Sequence, residues 1–378
     1  MLIKKKTELK KQTMKKLHIK KIIFGFSFLS VFFLSCSSVK KENWTEPFII
    51  NKEYSDFCTQ TDNYLLESNF EGAVLVGKGQ KIIFAKGYGL CDKKDENSAQ
   101  ISINDTFEIG SISKQITAAA IMQLVQKKKI SLDDKISKYF PNYKYGEQIT
   151  VRMLLNMRSG LTDYINDAED FFPPEIYAEI RKKQVKNEPF EEDFVLKYFY
   201  DAPLLTKPNS TYFYCNTNYY LLAQIVQQVS GQPYHQYAKK NVIDKCGMRN
   251  TNIDFQKTNT KGYDFKNRYY SIPYDFSKGC CDVNSCVTDL FKWNVQFANG
   301  KIISKKSLKQ MIDTESYGFG VYVKENKMFH TGITNVFNSY NSYSFENKLS
   351  VIVLVNKPVA QCNATFIAHK LEKNAMQN

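Results

Sequence analysis

Short apolar runs lie near the two ends of the chain, and longer segments with helical spacing occupy the part between them. Residues 54–68 predict a helix, and the runs 73–76 and 81–86, joined through 77–79, predict a β-hairpin. Four strand-like runs precede a last amphipathic helix: 318–324, 327–330, 336–345 and 349–354, followed by about 362–375. This order predicts an α/β fold of the α+β type, with one antiparallel sheet from about 51–110 and 315–378 flanked by the N- and C-terminal helices. The segment of about 111–314 is then an inserted all-helical lobe.

Two helices in the middle of the chain have recognisable ends. The first is the apolar stretch 115–125, which follows Gly110 and Ser111 and so places Ser111 at a helix N-terminus. The second covers 218–229 and ends at Gly231, which suits the left-handed position after a helix, with Pro233 beyond it. The first helix is too apolar to be exposed on all sides, so we expect it in the core.

The first 35 residues have the pattern of a bacterial export signal. Lysines precede the apolar segment 22–34, which is followed by Ser35 and Cys36. This resembles a lipoprotein signal, although Phe33 stands where leucine is usual, and the apolar segment is shorter than the about 20 residues of a membrane-spanning helix. We expect residues 1–35 to be a lipoprotein signal peptide, Cys36 to be lipidated, 36–50 to be a tether and 51–378 to be a folded domain in the bacterial cell envelope. An uncleaved anchor and a signal peptide without lipid are the alternatives.

Most of the net charge of +14 belongs to this leader, because residues 1–35 hold nine lysines and one glutamate. The remaining charge is modest, and no recognition helix, RNP element or zinc finger accompanies it, so we expect no nucleic-acid partner. The cysteines other than Cys36 show no spacing of a disulfide framework. No histidine or second cysteine pair stands near Cys280, Cys281 and Cys286 to complete a metal site, so the sequence predicts no metal and no other cofactor.

Three short motifs, far apart in the sequence, supply the chemistry. Ser-x-x-Lys occurs three times, but only the copy at Ser111 opens an apolar helix, which puts Ser111 and Lys114 on one helix face. Tyr-x-Asn occurs at Tyr164 and Tyr214, and only Tyr214 is followed at once by a long apolar helix. Of four histidines, only His330 precedes x-Gly between strand-like segments. A nucleophile, two proton-transfer groups and a strand edge are the parts of a serine acyl-transfer enzyme.

Taken in this order, the motifs resemble those of the serine β-lactamase-related family. The quoted segments are Ser111-Ile112-Ser113-Lys114, Tyr214-Cys215-Asn216 and His330-Thr331-Gly332. The family includes class C β-lactamases, low-molecular-weight penicillin-binding D-Ala-D-Ala carboxypeptidases, D-aminopeptidases and esterases. The resemblance covers roughly residues 54 to 357, and it implies a β-lactamase/transpeptidase-like fold with the active site at the seam between sheet and helical lobe.

The resemblance implies catalytic roles for three residues and a binding role for a fourth. Ser111 is the nucleophile of the acyl-enzyme, and Lys114 is its base, which has to be neutral part of the time. Tyr214 is the proton shuttle to the leaving group and later activates water. Asn216 binds the substrate amide and orients Lys114. The structural alternatives are helix capping for Ser111 and Asn216, a surface position for Lys114 and simple packing for Tyr214.

His330, Thr331, Gly332 and Ile333 are implied to bind the substrate. Gly332 lets the backbone approach it closely, and the N–H of Ile333 is expected to form an oxyanion hole with that of Ser111. Class C β-lactamases have lysine in place of His330, whereas related carboxypeptidases, aminopeptidases and esterases often have His-x-Gly. Histidine offers a substrate carboxylate no permanent cation, so this exchange disfavours the β-lactamase interpretation. The structural alternative is an exposed strand histidine.

The sequence therefore predicts a serine hydrolase that acts on D-amino-acid peptides or esters, ahead of β-lactam turnover. Its partners would be small-molecule or peptide substrates, such as peptidoglycan stem peptides or β-lactams, and the membrane through a lipid anchor. Two alternatives stay open: a catalytically inactive envelope module that binds peptidoglycan or a partner, and a true β-lactamase. The stretch around Cys281 and Ile333 departs from the family pattern, which leaves the substrate open.

Overall fold

The computed structural model describes residues 47–186, 188–253, 258–268 and 273–377. The predicted signal peptide 1–35, Cys36 and most of the tether 36–50 lie outside the described residues, so the signal peptide, the lipidation and the tether stay predictions. Within the described ranges, no helix combines the length and the apolar character that crossing a membrane requires.

Both ends of the described chain contribute strands to one antiparallel sheet. In chain order the strands are β1 (Ile49–Ile50), β2 (Gly72–Lys78), β3 (Lys81–Tyr88), β4 (Phe107–Glu108), β5 (Asn284–Ser285), β6 (Tyr322–Lys324), β7 (Lys327–Ile333), β8 (Asn338–Ser344) and β9 (Leu349–Val355). The sheet has the order β1-β3-β2-β9-β8-β7-β6, and β2 pairs with β9 from Gly72 opposite Val355 to Lys78 opposite Leu349. The predicted fold class, with its sheet assembled from the two ends, is confirmed.

Helices fill most of the chain between β3 and β6. The described α-helices are α1 (Ser55–Glu67), α2 (Lys114–Gln126), α3 (Val151–Leu155), α4 (Ala168–Phe171), α5 (Pro174–Lys186), α6 (Phe194–Phe199), α7 (Asn216–Ser230), α8 (Tyr234–Ala238), α9 (Tyr274–Ser277), α10 (Val287–Ala298), α11 (Lys305–Ile312) and α12 (Ala364–Gln377). The sequence predicted that the inserted segment is wholly helical, but the segment also contains the short strand β5, which pairs with β4. This pairing ties the segment around 284 to the chain just before Ser111.

Alternate residues of the central strands pack into two different cores, as the period of a β-strand requires. Val74 and Val76 of β2 lie in the core that also contains residues of α1 and α12. Ala73 and Leu75 lie in the larger core, which contains the apolar residues of α2, α7 and α10. The sheet is therefore covered on both faces, and α2 is held in the interior.

The elements that carry the three motifs begin or end within a few residues of their predicted positions. Ser111 lies in a 3₁₀ turn, Gly110–Ser113, and α2 begins at Lys114. Helix α7 starts at Asn216, two residues before the predicted position, and ends at Gly231 in the predicted left-handed conformation. Strand β7 continues past His330 to Ile333. Each motif thus lies where a turn or loop meets a regular element.

Two glycines bring the turn of Ser111 into backbone contact with β7. Gly110 has a φ of +52°, and a Cβ built on it would lie 2.7 Å from the backbone N of Ile333. A Cβ on Gly332 would lie 1.9 Å from the backbone O of Ile109. Any side chain at either position would push the strand away from the turn, so glycine is required for this approach.

A buried acid on β4 predicts how stability depends on pH. Burial raises the pKa of Glu108 from 4.5 to about 8. Between these two pH values the folded state holds a proton that the unfolded state has lost, so stability falls as pH rises, by at most about 1.4 kcal/mol per pH unit. We expect Glu108→Gln to flatten this decline in urea unfolding measured between pH 5 and pH 8. An unchanged pH slope in the variant would show that Glu108 does not titrate in this range.

Candidate active site

Ser111 and Lys114 lie within hydrogen-bond distance of each other. The Lys114 Nζ is 2.9 Å from the Ser111 Oγ, 2.8 Å from the Asn216 Oδ1 and 2.9 Å from the backbone O of Cys280. Lys114 is completely buried, whereas Ser111 is partly exposed. The interpretation of Lys114 as a surface lysine is therefore wrong.

The partners of Lys114 determine which proton it can accept. The carbonyl oxygens of Asn216 and Cys280 can only accept hydrogen bonds, so the Nζ donates to both. The Ser111 hydroxyl can donate as well as accept, so the third hydrogen bond can carry a proton from Ser111 to the Nζ. The geometry thus allows Lys114 to take a proton from the hydroxyl of the predicted nucleophile.

Asp163 orients Asn216, and the sequence analysis did not single it out. Its Oδ2 accepts hydrogen bonds from the Asn216 Nδ2 at 2.8 Å and the Asn216 backbone N at 3.0 Å. Burial raises the pKa of Asp163, while the backbone N–H groups of Asn216 and Ile165 and the charge of Lys114 oppose this rise. Because the Asn216 Nδ2 is held by this acid, its Oδ1 faces Lys114. Asn216 is the first residue of α7 and not its N-cap, which is Cys215.

Tyr214 lies beside the pair formed by Ser111 and Lys114. The Lys114 Nζ is 4.9 Å from the centroid of its ring. Burial raises the pKa of Tyr214 well above its ordinary value, and a hydrogen bond with Ser111 opposes part of this rise. Tyr214 is therefore a neutral phenol at rest, which suits it to donate a proton.

His330 is buried, so the interpretation as an exposed strand histidine is wrong. Its Nδ1 lies 2.6 Å from the backbone O of Thr331, and its Nε2 lies 3.1 Å from the hydroxyl of Tyr317. A carbonyl oxygen only accepts, so Nδ1 carries the proton and Nε2 accepts from Tyr317. Burial and the charge of Lys114 lower the pKa of His330 to about 3. The imidazole is thus neutral, and both of its nitrogens have partners within the protein.

Three tyrosines that the sequence analysis did not single out form a wall next to His330. The ring of Tyr317 packs edge to face against Tyr214, with centroids 5.9 Å apart, and against Tyr322, with centroids 4.7 Å apart. The hydroxyl of Tyr212 lies 2.9 Å from that of Tyr322. Tyr317 therefore links the histidine motif to the tyrosine motif.

A cleft of about 370 Å³ exposes the site. Six of the predicted site residues line it: Ser111, Tyr214, Asn216, His330, Thr331 and Ile333. Lys114 lies behind Ser111, and Gly332 packs against the turn that carries Ser111. The structure therefore brings together all eight residues that were predicted for the active site. The roles assigned to them, including the oxyanion hole of the Ser111 and Ile333 N–H groups, stay predictions.

The copy of Tyr-x-Asn that the sequence analysis set aside also reaches this cleft. Ile165 and Asn166 line it, whereas Tyr164 is buried behind it and donates a hydrogen bond to the backbone O of Phe276 at 2.5 Å. Cys281 and Tyr322 complete the lining. The described residues include no cluster of three or more His, Cys, Asp or Glu arranged to hold a metal ion.

Comparison with known proteins identifies the family. The model of the β-lactamase family matches residues 65–369, which is most of the chain. The chain belongs to the β-lactamase family. Membership of this family supports a hydrolase of the serine β-lactamase and penicillin-binding type. Among relatives, PbpX of Bacillus subtilis, a protein named for penicillin binding, is 30% identical over 307 residues, which cover 78% of this chain and 72% of PbpX.

Solved structures share the fold of this β-lactamase-family chain. FmtA from Staphylococcus aureus aligns with a TM-score of 0.71 at 22% identity and covers 86% of this chain and 89% of its own. D-amino acid amidase from Ochrobactrum anthropi, solved with L-phenylalanine, aligns with a TM-score of 0.71 at 19% identity and covers 85% of this chain and 100% of its own. At these identities the likeness establishes the fold.

Proposed function

We propose that the protein is a serine hydrolase that forms an acyl-enzyme on Ser111 and hydrolyses amides, peptides or esters of D-amino acids. The observation that carries this proposal is the contact of 2.9 Å between the Lys114 Nζ and the Ser111 Oγ beside the cleft. The substrate class is supported by the name of one structural neighbour, D-amino acid amidase.

Acylation begins when the Ser111 Oγ attacks the substrate carbonyl and gives its proton to the Lys114 Nζ. The negative charge that develops on the carbonyl oxygen is stabilised by the N–H groups of Ser111 and Ile333. Tyr214 then donates its proton to the leaving nitrogen or oxygen and recovers one from Lys114. The acyl group remains bound to Ser111 as an ester.

Deacylation uses the same groups in the reverse direction. A water molecule attacks the ester carbonyl and passes a proton through Tyr214 to Lys114. When the bond to the Ser111 Oγ breaks, Lys114 returns that proton to the oxygen, and the free acid leaves. Asn216 holds Lys114 in place through both steps, and Asp163 holds Asn216.

The charges around the cleft favour a substrate without a free carboxylate next to the scissile bond. None of the described residues that line the cleft is a lysine or an arginine. The buried Lys114 already has three hydrogen-bond partners, and His330 is neutral with both nitrogens engaged. A carboxylate in this cleft would lose its hydration without gaining a cation, which is unfavourable.

We therefore expect an acyl-D-alanyl-D-alanine to react more slowly than the same peptide with its C-terminus amidated. The two substrates differ only in this charge, and kcat/KM should favour the amide by at least about tenfold, or 1.4 kcal/mol. Ile333 is 60% exposed at the cleft, so Ile333→Arg adds a cation there and should narrow the difference, while Ile333→Gln should not. Equal kcat/KM values for the two peptides in the unmodified protein would refute this selectivity.

The proposed reaction is tested with a chromogenic ester and a D-amino-acid amide. The purified domain should release the chromophore in a rapid burst equal to the enzyme concentration, followed by steady turnover, and Ser111→Ala should show neither phase. Binding of peptidoglycan fragments without turnover of any ester or amide would instead identify an inactive binding module. Cephalosporin turnover faster than that of the ester or amide would identify a true β-lactamase.

We also propose that Cys36 is lipidated and holds the enzyme at the bacterial cell envelope. Support comes from the sequence alone, through the basic and apolar leader before Ser35 and Cys36. In cells fed a labelled fatty acid, the protein should carry the label and fractionate with membranes, and Cys36→Ser should lose both properties. Membrane retention and lipid label that survive this substitution would contradict the anchor.

A further inference from the structure

Two adjacent thiols lie at the catalytic cleft, outside the mechanism described above. The Sγ atoms of Cys280 and Cys281 are 3.4 Å apart. Cys281 lines the cleft, whereas Cys280 lies behind it, within 3.2 Å of the Tyr164 hydroxyl. Both side chains are buried, and both are free thiols. A reagent in the cleft can thus meet Cys281 first and Cys280 second.

The peptide group between these cysteines also holds the proposed base. The backbone O of Cys280 accepts a hydrogen bond from the Lys114 Nζ at 2.9 Å. A disulfide between adjacent cysteines closes an eight-membered ring that contains the carbonyl carbon of the first residue and the amide nitrogen of the second. Ring closure draws the two sulfurs together to about 2.05 Å and therefore has to rotate this peptide group and its carbonyl oxygen.

We propose that Cys280 and Cys281 form a redox-modification site, in which a reversible disulfide between them displaces the carbonyl partner of Lys114 and slows acylation of Ser111. The effect on acylation rests on the proposed function, whereas formation of the disulfide does not. The site takes small disulfides as oxidants, because the cleft admits a compact reagent to Cys281.

The reaction is two successive thiol–disulfide exchanges. The Cys281 thiolate attacks a small disulfide, forms a mixed disulfide and releases one thiol. The Cys280 thiolate then attacks the Cys281 Sγ and releases the second thiol, so the protein loses two hydrogens and the oxidant becomes two thiols. A dithiol reductant reverses both exchanges.

The surroundings of the pair make the exchange slow at neutral pH. The hydrogen bond with Cys280 and burial raise the pKa of Cys281 above its ordinary value. The Cys280 Sγ also donates to the backbone O of Ser277 at 3.1 Å, which holds the thiol in place. The exchange is therefore best tested at about pH 8.5, where more thiolate is present.

The test is to incubate the purified domain with oxidised glutathione and to follow three quantities. Peptide mass spectrometry should show the loss of two hydrogens in the peptide that contains Cys280 and Cys281. Labelling of Ser111 by a fluorophosphonate should slow by at least about tenfold and recover after dithiothreitol. Acetylation of Lys114 by a small amine-reactive acetylating reagent should increase severalfold, because the carbonyl partner of Lys114 has moved. This measurement does not depend on catalysis.

Matched variants separate this site from the remaining thiols. Cys281→Ser should keep its labelling rate in oxidised glutathione, because the thiol that meets the reagent first is gone. Cys280→Ser should stop at the mixed disulfide of Cys281 and gain the mass of one glutathione, whereas Cys286→Ser, which removes another buried thiol, should remain sensitive. Absence of the disulfide in the mass spectrum, or a disulfide that changes neither Ser111 labelling nor Lys114 acetylation, would overturn the proposal. A domain whose Ser111 never reacts, but in which the disulfide forms and Lys114 acetylation rises, would refute the proposed function and leave the modification site in place.

Discussion

Replacement of Lys114 by methionine is expected to slow acylation of Ser111 by about a thousandfold, the middle of the range for a lost general base. Methionine keeps the length of the buried side chain but has no nitrogen to accept the Ser111 proton. The change also leaves the Asn216 Oδ1 and the Cys280 backbone O without their Lys114 donor, at a cost of about 1–3 kcal/mol per group in the free energy of unfolding. Stopped-flow measurement of the burst with a chromogenic ester separates acylation from later steps.

A second buried lysine provides the matched control. Lys278 is 2% exposed and lies 3.3 Å from Asp193, away from the cleft lining. We expect Lys278→Met to change the free energy of unfolding in urea but to keep the burst rate within about threefold. Substitutions of buried residues outside the cleft act mostly through stability. Equal loss of the burst in both variants would mean that burial of a cation, and not the position of Lys114, is what the reaction needs.

Replacement of Tyr214 by phenylalanine is expected to lower kcat by about a hundredfold or more, because the leaving group loses its proton donor. The neutral phenol, whose pKa burial raises, is suited to this donation. The loss should be largest for amides, whose nitrogen must be protonated to leave, and smallest for esters with acidic alcohols. A series of substrates with leaving groups of graded acidity measures this difference.

Tyr219 is the control for Tyr214. It is also buried near Lys114, with its ring centroid 5.8 Å from the Nζ, but its hydroxyl donates to the backbone O of Leu155 at 2.8 Å. Tyr219→Phe should lower stability by about 1 kcal/mol and leave the dependence on leaving group unchanged. If Tyr214→Phe shows the same dependence on leaving group as the unmodified protein, Tyr214 is not the proton donor.

The motif residues could be predicted from the sequence because their chemistry restricts both residue type and spacing. A serine and a lysine three residues apart before an apolar helix meet through local geometry alone, as Ser111 and Lys114 do. Asp163 gives no such signal, because its contact with Asn216 joins residues far apart in sequence and carboxylates are common in this chain. Tyr317 is equally hidden, as one of 24 tyrosines, until β7 places His330 next to it.

The strands of the sheet could be predicted where apolar and polar residues alternate, because one face is buried, or where a short run is apolar throughout, because both faces are buried. The prediction was too long at 318–324, where only Tyr322–Lys324 is a strand. Gly320 has a φ of +76°, which is incompatible with an extended strand, and Phe319 bonds instead to the backbone O of Met311. The β4–β5 pair was missed because two residues per strand are too few for a period to show.

The most direct measurement is the mass of the protein after reaction with a fluorophosphonate or a fluorescent penicillin. One adduct per chain should form, peptide mapping should place it on Ser111, and Ser111→Ala should remain unmodified. The tight turn next to Gly110, with Lys114 2.9 Å from the Ser111 hydroxyl, is the reason to expect this selectivity. An adduct on any other residue, or one that persists in Ser111→Ala, would contradict Ser111 as the nucleophile.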